Sequence, residues 1–319
     1  MKLIILSPVY NDWESAKELL SLINDELSRA ALTAEILFVD DGSDQPQPSS
    51  FNMVKLSAIH SVQTLQLKNN VGHQRAIAIG MSYIYEKKAC DAVVVMDSDG
   101  EDKPNDIVRL VRALEAEIRP CIIFAERVSR SEGMKFSLFY HLYRWLYAKF
   151  TGHKIRFGNF SILSFSILGR IVVDPNLWNH FAASVSRSKH LLKTIPSNRG
   201  SRLFGKSKLN FTALVLHGLS AMSCYNEIIA ARLLFSTLMS ISFFLAGIVA
   251  IVAIKLFSTM AIAGWATYTI GILTIISLQI LLISLTFMFT LLGNRKNQPF
   301  IPLRDYAYFI DRLKDENDR

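Results

Sequence analysis

Val93-Val94-Val95-Met96-Asp97-Ser98-Asp99-Gly100-Glu101-Asp102 is an apolar run that ends abruptly in carboxylates. A buried strand of this kind delivers acidic side chains at alternate positions to its carboxyl end. Mg2+ and Mn2+ take such oxygen ligands, commonly one or two carboxylates shared with substrate phosphates. The bound cation offsets charge on a departing diphosphate. An acidic turn capping the helix that begins near Pro104 would produce the same pattern. A second acidic pair, Asp40-Asp41, ends another apolar run. Several carboxylates at one sheet edge repel one another unless a cation or hydrogen-bond donors satisfy them, and this favours a site over a turn.

Working outward, strands are expected at Lys2–Ser7, Ala34–Val39, Val62–Leu67, Ala92–Met96 and Cys121–Ala125. Helical patterns fall at Trp13–Leu27, about Gln74–Tyr85 and Ile107–Ala116. This alternation predicts an α/β domain, a mostly parallel sheet covered on both faces. Ligands of such sheets collect beyond the carboxyl ends of the strands. The chemically loaded segments lie there: Pro8 to Asp12, Asp40 and Asp41, Asn69 to Gly72, and Asp97 to Asp102. Further helices are expected at Met134–Phe150 and at Phe211–Arg232, the latter lying along a membrane surface.

The last third of the 319 residues changes character. About Leu233–Leu256 and about Trp265–Leu292 are apolar and carry one charge, Lys255. Each exceeds the roughly 20 residues that cross a hydrocarbon core, so a two-helix membrane hairpin is expected, with residues 293–319 as a tail. Arg232, Arg295 and Lys296 flank the hairpin, which predicts both termini and the large domain on the cytoplasmic side. The opening Met-Lys-Leu-Ile-Ile-Leu is too short an apolar run for a signal peptide. Cys90, Cys121 and Cys224 show no metal or disulfide spacing. The net charge is +8, and Asp174 to Glu227 holds no acidic residue between its ends. A basic segment beside a membrane span suits anionic lipid or a phosphate-bearing ligand. No nucleic-acid-binding motif accompanies it.

Three of these segments resemble family 2 glycosyltransferases of the GT-A fold, a Rossmann-like architecture: Ser7-Pro8-Val9-Tyr10-Asn11-Asp12, Asp40-Asp41-Gly42-Ser43 and Asp97-Ser98-Asp99. Asn69-Asn70-Val71-Gly72-His73-Gln74-Arg75-Ala76 fits the same group. Gly158-Asn159-Phe160 and Arg199-x-x-Arg202-x-x-Gly205-x-Ser207-Lys208 resemble the branch of dolichyl-phosphate mannose synthase and bacterial polyprenyl-phosphate glycosyltransferases. The resemblance implies a nucleotide-sugar pocket from Pro8, Tyr10, Asp12, Asp40, Asp41, Asn70, Gly72, Arg75, Asp97 and Ser98. It implies Mg2+ or Mn2+ at Asp97, Asp99 and Glu101. The first-strand motif usually ends in Glu, so Asp12 is a shorter departure. It further implies a polyprenyl phosphate acceptor at an inner-membrane bilayer, with transfer of a hexose in a cell-envelope pathway.

On the acceptor side, Arg127, Arg130, Lys135, Arg199, Arg202, Ser207 and Lys208 are candidates to clamp a lipid phosphate. Asp97, Asp99, Arg127 and Arg202 are the candidates for the chemistry itself. A hydroxyl acceptor needs a general base, and downstream carboxylates are few: Glu115, Glu117, Glu126, Glu132 and Asp174. A phosphate acceptor is already anionic and needs none. Two other readings remain open at this stage: the same fold serving a hydroxyl acceptor, and a membrane scaffold with a degenerate transferase domain. Association of copies is also left open.

Overall fold

The structure, a computed structural model, describes residues 1–48, 51, 56–127, 144–153, 157–205, 211–257, 264–294 and 300–316. Alternation along its central strands sorts the core into two layers. In β1 (Leu3–Val9), Leu3 and Ile5 face one layer while Ile4 and Leu6 face the other. The same division runs through β2 (Ala34–Asp40), β3 (Ile59–Leu67) and β4 (Ala92–Val95). Strands buried on both faces read as continuous hydrophobic runs, which is why Val93-Val94-Val95 carries no polar alternation.

One layer is covered by α1 (Trp13–Arg29) and α3 (Pro104–Glu115), whose Leu19, Ile23, Leu27, Ile107 and Leu110 fill it. The other is covered by α2 (His73–Lys87), α5 (Phe165–Ile171) and α6 (Phe181–Arg187). Between β5 (Ile122–Arg127) and β6 (Phe157–Ser164) lies a short helix, α4, over 144–151. Helix α2 approaches the sheet closely at Gly80, where a Cβ would lie 2.4 Å from Leu6 Cδ1 and 2.8 Å from Val39 Cγ2.

With β7 (Leu192–Ser197) and β8 (Ile310–Asp315) the sheet has eight strands in the order β7-β5-β6-β4-β1-β2-β3-β8. The pairs β1–β2, β1–β4, β2–β3 and β5–β7 are parallel. The strand β6 runs antiparallel to both β4 and β5, and β8 antiparallel to β3. The mostly parallel α/β sheet expected from the sequence is present. Pro196 sits in edge strand β7, and the charged Asp311, Arg312, Lys314 and Asp315 sit in edge strand β8. Both choices blunt an exposed ladder.

Residues after the second apolar helix differ from the expected tail. Phe300–Glu316 belongs to the same compact unit as the sheet. The rings of Phe300 and Phe309 pack on Trp178 at 4.0 and 5.0 Å. Tyr306, 3% exposed, donates its hydroxyl to Glu86 at 2.8 Å. Strand β8 then pairs with β3, and Thr64 Oγ1 donates to Glu316 at 2.9 Å in the interior.

A second compact unit comprises 143–153 and 225–299. The expected helix Phe211–Arg232 is broken: α7 is Phe211–Ser223, and α8 (Asn226–Phe257) starts after a turn at Cys224 and Tyr225. The helix α9 spans Trp265–Asn294. At 32 and 30 residues these two are about 48 and 45 Å long, more than a hydrocarbon core requires. Large side chains such as Phe243, Phe257, Tyr268 and Phe289 stand exposed along them. Within the pair, the hydroxyls of Thr237 and Ser284 hydrogen-bond at 2.6 Å, a contact worth on the order of 0.6 kcal/mol between membrane helices. Arg232 donates to the carbonyls of Lys149 and Phe150 at 2.9 and 3.1 Å and so closes the end of α4.

Truncating Tyr306 tests whether the terminal segment is structural. Tyr306→Ala is expected to cost about 3 kcal/mol, as removal of a buried aromatic ring does, and Tyr306→Phe about 1 kcal/mol. Thermal or urea unfolding of the purified protein measures both, and an unchanged midpoint for Tyr306→Ala would show that the segment does not stabilise the sheet.

Candidate functional site

The parallel strands β1, β2 and β4 end side by side, since Val9 is opposite Asp40 and Leu6 opposite Val95. Their carboxyl ends therefore bring Tyr10 to Asp12, Asp40 to Gly42 and Asp97 to Asp102 to one edge. The turns are shaped by backbone demands. Gly42 has φ +68 and lies so close to Asn69 and Asn70 that a Cβ would meet their backbone at 2.6 Å. Gly72, with φ +93, opens α2. Both conformations favour glycine.

Asp41 ties these turns together: Val71 N–H donates to its Oδ1 at 2.7 Å and Gly72 N–H to its Oδ2 at 2.9 Å. Burial raises its pKa to about 6, only partly offset by those two hydrogen bonds. Asp40 accepts from Ser43 N–H at 3.0 Å and so closes its own turn. Both residues therefore hold the turns that follow β2 and β3. Arg75 stacks over Trp178, with its guanidinium carbon 5.3 Å from the ring centroid. Its positive charge also acts on Asp41. Pro8 is buried within β1, Ser98 is buried in the acidic loop, and Tyr10 is exposed at the strand tip.

The acidic loop is zipped to a basic one. Gly200 N–H donates to Glu101 O at 2.8 Å, and Leu203 N–H donates to Asp99 O at 3.0 Å. Gly100, φ +84, leaves room for the Leu203 side chain. Across this seam Arg199 pairs with Glu101. Arg202 reaches further, with one nitrogen on Asp12 and another 3.2 Å from Asp99. Arg127 lies 3.7 Å from Asp102 and passes over Gly158. Burial raises the pKa of Asp99 to about 6; the Asp97 carboxylate pushes the same way, and Arg202 and Arg199 oppose it. Fully buried Asp102 is raised as well, by burial first and by Asp97 second.

Thus Arg127, Arg199 and Arg202, expected on an acceptor phosphate, each pair with a carboxylate of the acidic loop or of the β1 tip. The expected clamp residues Arg130, Lys135, Ser207 and Lys208, the candidate base Glu132, and residues 134–143 of the expected helix lie outside the described residues. Glu126, the other nearby candidate base, accepts from Thr194 of β7 at 2.9 Å.

The fit to a divalent cation follows from the donor set. Among the described residues no three carboxylate, histidine or cysteine side chains converge on one point. Asp97, Asp99 and Glu101 turn to different partners, namely Asn159, Arg202 and Arg199. A site completed by substrate phosphates and water needs only one or two carboxylates. Asp97 is held by the neutral Asn159, whereas Asp99 and Glu101 are paired with Arg202 and Arg199, and a cation at either would take the arginine's place.

A polar cluster that the sequence reading did not assign adjoins Asp97. Asn159 Nδ2 donates to Asp97 Oδ1 at 3.3 Å, and Gln74 Nε2 donates to Asn159 Oδ1 at 2.9 Å. Next to it stand three histidines: the His217 ring of α7 is 5.3 Å from His73 and 4.5 Å from His180. His180 Nδ1 accepts from Ala183 N–H at 3.3 Å, so its proton is on Nε2, which lies 3.2 Å from His217 Nε2. Burial first, and the neighbouring histidines second, lower His180 to about 3 and His217 to about 4. The motif residues Gly158-Asn159-Phe160 and His73-Gln74 were the available signal; nothing local in them reveals that they meet.

The depressed histidines give a signed pH expectation. The unfolded chain takes up protons near the ordinary histidine value of about 6.5 that the folded chain refuses. Their contribution is intact above about 6.5 and is lost as pH falls toward about 4. Asp41 and Asp99, raised, act oppositely on the same descent. Comparing the wild type with His217→Gln isolates the histidine: the wild type should lose stability relative to the variant between pH 6.5 and 4. A pH-independent difference in unfolding free energy would contradict a neutral buried pair.

A sequence profile of glycosyl transferase family 2 matches residues 4–172. The undecaprenyl-phosphate 4-deoxy-4-formamido-L-arabinose transferase of Salmonella choleraesuis is 24% identical over 226 residues, covering 67% of this chain and 64% of that protein. The protein of the same name from Erwinia tasmaniensis is 30% identical over 114 residues, covering 36% of this chain and 34% of that protein. The matched stretches thus span less than two thirds of these relatives' length. Among solved structures, glucosyl-3-phosphoglycerate synthase from Mycobacterium tuberculosis, in complex with Mn2+, uridine diphosphate and phosphoglyceric acid, covers 72% of this chain and 78% of that chain at 12% identity and a TM-score of 0.49.

Proposed function

The chain belongs to glycosyl transferase family 2, and from that premise we propose that it moves a hexose from a nucleoside diphosphate sugar to the phosphate of a polyprenyl lipid at a bilayer surface. The observation that carries this reading is the grip of Arg202 on Asp12 and Asp99. A guanidinium on the acidic strand tips brings the basic loop and the carboxylates to one locus, so a diphosphate and an acceptor phosphate can be served together. The relatives named for undecaprenyl-phosphate transfer support the acceptor class, and the two long apolar helices support a bilayer.

In the proposed reaction an acceptor phosphate oxygen attacks the anomeric carbon while the bond to the donor diphosphate oxygen breaks on the opposite face, with inversion. No proton need be removed, since the phosphate is already anionic. Asp40, Asp41, Asn70, Gly72 and Arg75 form the wall of the nucleotide pocket, with Pro8, Tyr10 and Asp12 at its edge. Asp99 and Asp97 would hold Mg2+ or Mn2+, which supplies Lewis-acid stabilisation of the leaving diphosphate. Burial of Asp99 disfavours its unpaired charge, a demand that Arg202 meets and that a divalent cation would meet in its place. Arg202 and Arg127 then exchange carboxylate for phosphate oxygens, for which the guanidinium fork is suited. Arg199 stays with Glu101.

For the domains we propose a catalytic sheet unit, an interfacial helix α7 and a membrane hairpin of α8 and α9. The chain leaves the sheet unit at Cys224 and rejoins it at Phe300, so a hairpin returns to the side from which it started. The flanking Arg232, Arg295 and Lys296 favour the cytoplasmic side.

Labelled nucleotide sugars with Mn2+, offered polyprenyl phosphate or polyprenol, test the acceptor. Transfer is expected to the phosphate; transfer to polyprenol instead would replace this reading with a hydroxyl-acceptor enzyme. Asp99→Asn should slow transfer by on the order of 10²-fold or more, several kcal/mol of lost stabilisation. Arg202→Ala should raise the acceptor KM by roughly tenfold while lowering the Mn2+ concentration for half-activation, because a competing cation is gone. An unchanged metal requirement would count against the proposed exchange.

A further inference from the structure

Gln74 is the second residue of α2, 7% exposed, and both ends of its amide are engaged. Phe181 N–H donates to Oε1 at 2.7 Å. Nε2 donates to Asn159 Oδ1 at 2.9 Å and faces His73 Nε2, also at 2.9 Å. A backbone N–H only donates, so the Phe181 contact fixes which end of the amide is oxygen. The two amide protons then point at Asn159 and His73. With its Oδ1 held by Gln74, Asn159 can present only Nδ2 to Asp97, at 3.3 Å. One main-chain N–H thus sets the direction of a three-bond chain, Phe181 to Gln74 to Asn159 to Asp97. The chain joins α6, α2 and β6 to the tip of β4.

We propose that Gln74 is a positioning residue for Asp97, acting through Asn159, so that the carboxylate is held by a neutral donor rather than by an arginine. This inference rests on the transferase reading above, in which Asp97 serves the diphosphate and its cation. The chemical logic is that of charge economy at a crowded edge. Arg199 and Arg202 neutralise Glu101 and Asp99, and a further cation on Asp97 would leave the site nothing to offer a divalent ion. An amide donor orients the carboxylate without cancelling its charge. Because Gln74 and Asn159 are both buried, neither has water to replace a lost partner.

The test uses the full-length protein in detergent. The rise in melting temperature on adding Mn2+ with each of the four common ribonucleoside diphosphates reads binding apart from turnover, and kcat and KM with polyprenyl phosphate read the reaction. Gln74→Leu removes the chain at nearly constant volume and is expected to weaken the metal-nucleotide response about tenfold, with a matching fall in kcat/KM and little change in acceptor KM. Asn159→Ala should do the same, and the double variant should be no worse than Asn159→Ala alone, since one residue acts through the other. If Gln74→Leu shows no cooperative melt, Gln74→Glu replaces it: the Phe181 bond survives, but an oxygen now faces Asn159 and turns its amide, so the same loss is expected. A wild-type response shared in full by these variants, or additive losses in the double variant, overturns the inference. A wild type that responds to none of the four diphosphates and transfers no sugar sinks the transferase reading itself, a result distinct from the first.

Discussion

Burial of carboxylates at the tips of β1, β2 and β4 is the constraint on which the rest of this structure depends. A buried negative charge is tolerated only with donors or a cation beside it. The crowded acids meet that demand in three ways. Asp41 takes two backbone N–H groups, Asp97 an amide, and Asp99 and Glu101 arginines from the loop that follows β7. The result is an edge whose acids are balanced by the protein's own donors and arginines. Arg202 spans two strand tips, so its departure would unpair Asp12 and Asp99 together.

The sheet order explains how residues far apart in the chain reach that edge. Parallel β1, β2 and β4 set their carboxyl ends in a row, while antiparallel β6 carries Asn159 toward the same end as Asp97. On the far flank, β5 and β7 are parallel and deliver Arg127 and the basic loop. Glycines at 42, 100 and 200 then let the loops approach within contact of one another.

Much of this was legible in the sequence. The run Val93 to Asp97 announced a strand buried on both faces with acids at its tip, and the Asp40-Asp41 pair announced a second. The two apolar helices declared themselves by length, although α8 begins at Asn226, well before the apolar core of the segment. What was hidden is of one kind. Strand β8 carries Asp311, Arg312, Lys314 and Asp315 because it is an edge, and that polarity makes it read as a tail. The pairing of Arg199 with Glu101 and of Arg202 with Asp12 depends on tertiary geometry across about 100 and 190 residues. The direction of the Gln74 amide is set by Phe181 N–H, a group present in every residue but proline and so invisible in any motif.

The closing strand has a consequence for how the protein is made. Ile310–Asp315 pairs with β3, yet it emerges from the ribosome only after both long apolar helices. Thr64, whose hydroxyl meets Glu316 in the interior, therefore waits through the synthesis of about 250 intervening residues for its partner. Until then β3 is an open edge, and the surfaces of Trp178 and Glu86 lack the rings that cover them. Completion of the sheet therefore requires that both hydrophobic segments have been synthesised, and a chain stalled between them would carry an unfinished domain with an open edge.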